Sequence, residues 1–184
     1  IACLLLFRTL PPARGVTTLM VIDDYAHFYT GLILAATAAV ALLAIGYLGR
    51  LPEQHDEYYM LLLLAALGSI VLVSAVHFMS LFLGLELLSV SLYALIAYPR
   101  GREQSIEAGI KYLVLAAVSA AFLLFGMALG YAESGTMAFS QMAMPAAASD
   151  RLVRAVGLGL IVVAIAIRVG SRALAPRRSL PGDV

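Results

Sequence analysis

The sequence predicts an all-α fold, a polytopic transmembrane helix bundle of five full spans plus one partial span. Three observations predict it. First, 62% of the 184 residues are hydrophobic and 12% are charged, whereas a soluble domain carries about 25% charged residues. Second, the apolar residues gather in continuous runs close to or beyond the roughly 20 residues that carry a helix across a bilayer. A transmembrane barrel would instead show alternating segments of about ten residues. Third, the runs are divided by shorter stretches containing Pro, Gly and Arg, which suit connections between antiparallel spans. The mean hydropathy of +0.97 agrees.

The same composition excludes several classes of function. A formal net charge of +1 rules out a strongly basic nucleic-acid surface, so no nucleic-acid partner is expected and the surrounding medium is a lipid bilayer. The single cysteine, Cys3, allows no disulfide within the chain and no Cys-rich metal or iron–sulfur site. There is no P-loop, no dinucleotide-binding glycine pattern after a strand, and no His/Cys metal spacing.

Taken in order, residues 1–8 are apolar but too short to span and lack the basic start of a signal peptide. They read as the end of a truncated transmembrane helix, so the chain is expected to be a fragment. Residues 9–24 read as a loop, since Pro11-Pro12 lacks amide donors. Asp23 and Asp24 suit the positive end of the following helix dipole. Residues 25–49 form the first complete span, with small residues for close packing and with Tyr25, His27 and Tyr29 as interfacial anchors. A charged turn containing Pro52 follows.

Residues 58–98 are about twice a bilayer length, so they fold into two antiparallel spans, 58–76 and 78–98, with a tight turn at 74–77. His77 sits at that turn, either as an interfacial hydrogen-bonder or as a proton relay. A turn with Pro99 and Gly101 leads to the span 105–131, which Ser105 can cap and which carries the packing pattern Gly126-x-x-x-Gly130. Residues 132–150 read as a loop and 151–174 as the last span, followed by an Arg- and Pro-containing tail at 175–184. Arg50, Arg100, Arg102 and the tail fall on one side, and Arg8, Arg14, Arg151 and Arg154 on the other. The first side is the more basic and is therefore expected to be cytoplasmic.

Three side chains stand out against this background. Glu86 lies in the apolar run Leu81-Phe82-Leu83-Gly84-Leu85-Glu86-Leu87-Leu88-Ser89. A charge near the middle of a membrane helix costs roughly 2.5–3.5 kcal/mol on insertion scales. Helical spacing puts Glu86, Ser89 and Tyr93 on one stripe. Either Glu86 is protonated and hydrogen-bonds a neighbouring helix, or it meets a cation or a wet cavity and serves ion or proton movement. Lys111 follows Glu107 by one turn, which suits a helix-end ion pair, a lysine snorkelling to the surface, or a buried site. Arg168 is a basic anchor at a helix end or a buried partner.

The stretch from Leu81 to Ser89, then Tyr93-Ala94-Leu95, then Ser105-Ile106-Glu107-Ala108-Gly109-Ile110-Lys111-Tyr112, resembles the antiporter-like, proton-translocating subunits of NADH-quinone oxidoreductase, or complex I. Glu-Ala-x-x-Lys-Tyr is most similar to the subunit N branch, the counterpart of mitochondrial NADH dehydrogenase subunit 2, and Phe122-Leu123-Leu124-Phe125-Gly126-Met127-Ala128-Leu129 extends the likeness.

The resemblance implies part of a fold of two inverted repeats in a bacterial inner membrane, with other membrane subunits of complex I as partners. It implies no cofactor in this chain: NADH, quinone, FMN and iron–sulfur clusters are used on other subunits. It implies that Glu86 is the acid of the fifth helix and Lys111 the lysine of the sixth. Arg168 falls where the family places a buried lysine on the seventh. In the family the acid adjusts that lysine's proton affinity while quinone reduction elsewhere drives pumping. The sequence departs from the family at Ser91, where proline is usual, and after Arg168, where Val169-Gly170-Ser171-Arg172-Ala173 replaces a Pro-Phe-His continuation. Two other readings are a subunit of a multi-subunit cation/proton antiporter and a non-conducting structural membrane piece.

Overall fold

The computed structural model describes residues 14–49, 55–98, 103–142 and 151–170. The helix end expected at 1–8, the turns expected at 50–54 and 99–102, and the tail expected at 175–184 lie outside the described residues. With them lie Arg8, Arg50, Arg100, Arg102 and the tail arginines, on which the charge-based orientation rests.

The described residues open with a hairpin of β1 (Arg14–Thr17) and β2 (Met20–Ile22), paired antiparallel with a register shift between Gly15 and Thr17. Six helices follow among the described residues: α1 (Asp24–Leu48), α2 (His55–Val73), α3 (Phe78–Ala97), α4 (Glu103–Ser134), the short α5 (Phe139–Met142) and α6 (Arg151–Gly170). All but α5 are long and apolar enough to cross a membrane. The chain is thus a multi-pass helical membrane protein.

Local chemistry explains where these helices start and stop. Asp23 Oδ1 accepts a hydrogen bond from Ala26 N at 2.7 Å and so caps α1. His77 caps α3: its backbone is extended, and Nδ1 accepts from Met79 N at 3.2 Å. Helix α4 runs one turn past the expected end at residue 131. It stops where Gly135, at φ +66°, returns its N–H to Tyr131 O at 2.8 Å, the left-handed turn that glycine alone adopts without cost. Ser105 lies inside the first turn of α4, which begins at Glu103, and is not its cap.

Two stretches expected to be loops contain order. Within 9–24 lies the hairpin, and within 132–150 lies α5. Both pair with the turn between α2 and α3. Val21 N donates to Ser74 O at 3.0 Å and Val76 N to Leu19 O at 3.2 Å. On its other edge the turn receives Phe139 N on Val76 O at 3.2 Å and gives Phe78 N to Met137 O at 3.0 Å. The turn is therefore the middle of three extended segments that close one end of the bundle. Periodicity missed this because these segments are too short to show it. They form to satisfy backbone groups that a membrane protein cannot leave bare in its apolar zone.

Packing between spans uses small residues, as expected where lipid removes the hydrophobic drive between helices. At the α2–α3 crossing, a Cβ on Gly68 would lie 2.7 Å from Leu88 N and 3.1 Å from Gly84 O. At the α4–α6 crossing, a Cβ on Gly126 would lie 2.7 Å from Gly157 O. Below that crossing Leu123, Met127 and Ala164 form a buried cluster, covered by Phe78, Phe82, Leu85 and Ile161. A second cluster, Ala44, Leu48 and Tyr98 with Tyr58, Tyr59 and Leu61, marks the end opposite the extended segments.

Two outcomes are expected. Gly126→Val should push α4 and α6 apart, costing about 1–3 kcal/mol as overpacking does, while Gly159→Val, with open space around it, should be neutral. Thermal unfolding in detergent micelles compares the two. In a Cys3→Ser background, Leu19→Cys and Asp56→Cys should react with an impermeant maleimide from opposite membrane faces, and labelling of both from one face would refute the topology.

Candidate functional site

The site forms where α3, α4 and α6 converge. On α3, Leu85, Glu86 and Ser89 share the face turned toward α6. Ser89 is buried and its hydroxyl donates to Leu85 O at 2.8 Å. On α4, Ser119 is wholly buried and donates across the seam to Ala164 O of α6 at 2.8 Å. Each hydroxyl has thus given its proton to a backbone carbonyl, so each presents a lone pair to the space between the helices.

Arg168 fills that space. Its Nε donates to Ser119 Oγ at 2.9 Å, and Nη1 donates to Ser89 Oγ at 2.5 Å and to Leu85 O at 3.1 Å. Nη2 makes the ion pair with Glu86 Oε1. The Arg168 side chain is 12% exposed and that of Glu86 32%. A guanidinium has five donors and no acceptor, and these partners are acceptors, drawn from two transmembrane neighbours. Charge-assisted bonds of this kind are about twice as strong as neutral ones. The result is a fixed cation in an acceptor cage, with one full negative charge beside it.

Of the three residues singled out in the sequence, the structure therefore joins two. Lys111 lies elsewhere: its Nζ pairs with Glu107 one turn earlier on α4, and the two side chains are 68% and 64% exposed. Ser91, where the resembling family has proline, is buried and bonds back to Leu87 O at 2.8 Å, as a residue that continues a helix. His77 is engaged as a helix cap.

Sequence reasoning missed Ser119. The signal was available: Ser119 lies one heptad before Gly126, so a polar residue stood on the packing face already marked by glycine. Among the described residues no group of three or more His, Cys, Asp or Glu could hold a metal ion.

This geometry can be set beside known proteins. Residues 75–175, which include the whole of α3, α4 and α6, match the family described as NADH:quinone oxidoreductase/Mrp antiporter, TM. The chain is 44% identical over 171 residues to NADH-quinone oxidoreductase subunit N of Ectopseudomonas mendocina (strain ymp), covering 88% of this chain and 35% of that protein. Its fold is similar to a chain of respiratory complex I from Thermus thermophilus solved with bound aureothin, at TM-score 0.68 and 30% identity, over 92% of this chain and 35% of that one. It is also similar to a chain of the membrane-bound sulfane sulfur reductase, an archaeal respiratory membrane complex, at TM-score 0.73 and 29% identity, over 90% and 35%. The chain thus spans about a third of the length of the relatives it matches. With a family match over more than half its residues, centred on the helices that build the site, the chain belongs to the NADH:quinone oxidoreductase/Mrp antiporter transmembrane family.

Proposed function

We propose that this chain is part of a proton-translocating membrane subunit of NADH-quinone oxidoreductase in a bacterial inner membrane, beside other membrane subunits of the complex, with the NADH, FMN, iron–sulfur and quinone chemistry on other subunits. The observation that carries the reading is the Glu86–Arg168 pair, an ion pair between α3 and α6 inside the spans of a chain similar to subunit N. Intramembrane ionisable residues are costly and are kept where charge or protons move.

Each residue has a distinct part in this reading. Glu86 is the acid that senses or transmits charge. Arg168 is a permanent countercharge, since a guanidinium does not release its proton under any working condition. Lys111 lies apart from this pair, on the exposed face of α4 beside Glu107. Its exposed face on α4 suits contact with a neighbouring membrane helix. A cation/proton antiporter subunit is the second reading, favoured by the family's shared description. NADH-dependent quinone reduction by the purified assembly separates the two.

Two expected outcomes follow, both read as proton uptake into vesicles during NADH oxidation, with variants matched for assembly. Glu86→Gln keeps size but removes the charge opposite Arg168, so pumping should fall several-fold, with Glu86→Asp better tolerated. Equal pumping by Gln and the parent would mean the charge is not used. Arg168→Lys should pump more than the parent, because a lysine in the cage can discharge and recharge where arginine cannot. Equal pumping would show that a titratable group at position 168 is not used.

A further inference from the structure

Helix α6 meets its neighbours along one seam. Its inward positions are Arg154, Gly157, Ile161, Ala164 and Arg168, spaced alternately three and four residues apart. An arginine stands at each end and only apolar or side-chain-free positions lie between. The facing seam of α4 has the same spacing, through Ser119, Leu123, Gly126, Gly130 and Glu133. The two run antiparallel, so that Ser119 meets Ala164, Gly126 meets Gly157, and Glu133 meets Arg154.

At its centre this seam brings backbone against backbone. A Cβ on Gly157 would lie 3.1 Å from Gly126 O and 3.6 Å from Gly130 N. Such a crossing holds the two helices close, and sliding along the axis is opposed there by apolar contacts without directional bonds, Ile161 against Gly126 and Leu129 against Gly157. The cage around Arg168 cannot tolerate sliding. A shift of one residue is about 1.5 Å along the helix, which would carry its hydrogen bonds of 2.5–3.1 Å out of range.

At the far end, Arg154 Nη1 stands 3.9 Å from Glu133 Oε1, and the Glu133 side chain is only 9% exposed. Glu133 lies two heptads beyond Ser119, and Arg154 two heptads before Arg168, about 21 Å along the helix. Only apolar seam residues lie between the two ion pairs, so no polar chain joins them. What they share is one helix.

We propose that Glu133 and Arg154 are a positioning pair for the site: their ion pair pins α6 axially and so holds Arg168 in register with Glu86. The inference uses the proposed function only in expecting a consequence for pumping.

The test measures register directly. In the full chain in lipid nanodiscs, with Cys3→Ser, spin labels go on exposed Leu83 of α3 and Ile165 of α6, which are 56% and 48% exposed and lie three residues from Glu86 and Arg168. The parent should give one narrow distance. Glu133→Gln and Arg154→Gln should broaden or move it. Arg154→Lys, and the exchange of Glu133→Arg with Arg154→Glu, should restore it, which a general loss of packing would not allow.

If Glu133→Gln does not accumulate, Glu133→Asp, which withdraws the charge by one methylene, carries the same expectation. The parent distance retained in both neutral variants, or an exchange that stays displaced, overturns the proposal. In the assembled complex the neutral variants should lose pumping and the exchange regain it. Because the label distance is read without turnover, it can fail or hold independently of the pumping role.

Discussion

Everything near the centre of this protein depends on one electrostatic constraint: a carboxylate and a guanidinium placed among transmembrane helices must find each other. Each alone would cost several kcal/mol in a medium with little water, and removing one partner of such a pair leaves the other uncompensated at about 3–5 kcal/mol when fully buried. Glu86 and Arg168 meet that constraint together, and three of the remaining guanidinium donors go to Ser89, Leu85 O and Ser119. Three helices are tied by one side chain.

The small residues serve this arrangement. A serine hydroxyl reaches only a few ångströms from its own helix. Ser119 can touch both Ala164 O and Arg168 Nε because Gly126, Gly157 and Ala164 let α4 and α6 approach until their backbones nearly touch. Leucines at the glycine positions would separate the helices and strand the serine. Close packing and polar recognition are thus one device: the first sets the distance at which the second works.

A related constraint acts at the end of the bundle. The turn between α2 and α3 exposes amides and carbonyls on both edges, and in an apolar setting these need partners. The hairpin supplies one edge and the segment before α5 the other, with Ser80 Oγ adding a bond to Leu19 O at 2.7 Å. The start of α3, and so the height of Glu86, is thereby fixed by segments far away in sequence. The site is held from two directions, through α3 by this clasp and through α6 by its seam with α4.

The amino-acid sequence by itself determined the number of spans, the turn at residues 74–77, the acidic start of α1 and the presence of a carboxylate, Glu86, inside a span, because each rests on information within a helix length: run length, Pro and Gly punctuation, and a lone carboxylate in an apolar run. It also marked Arg168 as a possible partner. What tertiary structure alone decided is which of these residues meet. Sequence spacing by itself joined neither Lys111 nor Arg168 to Glu86; the antiparallel packing of α6 brings Arg168 to it and leaves Lys111 with Glu107. Ser119 entered the site, and residues 14–22 and 137–139 became ordered, for the same physical reason. Their partners lie dozens of residues away, and a hydrogen bond of about 3 Å between distant segments leaves no periodic trace in either one.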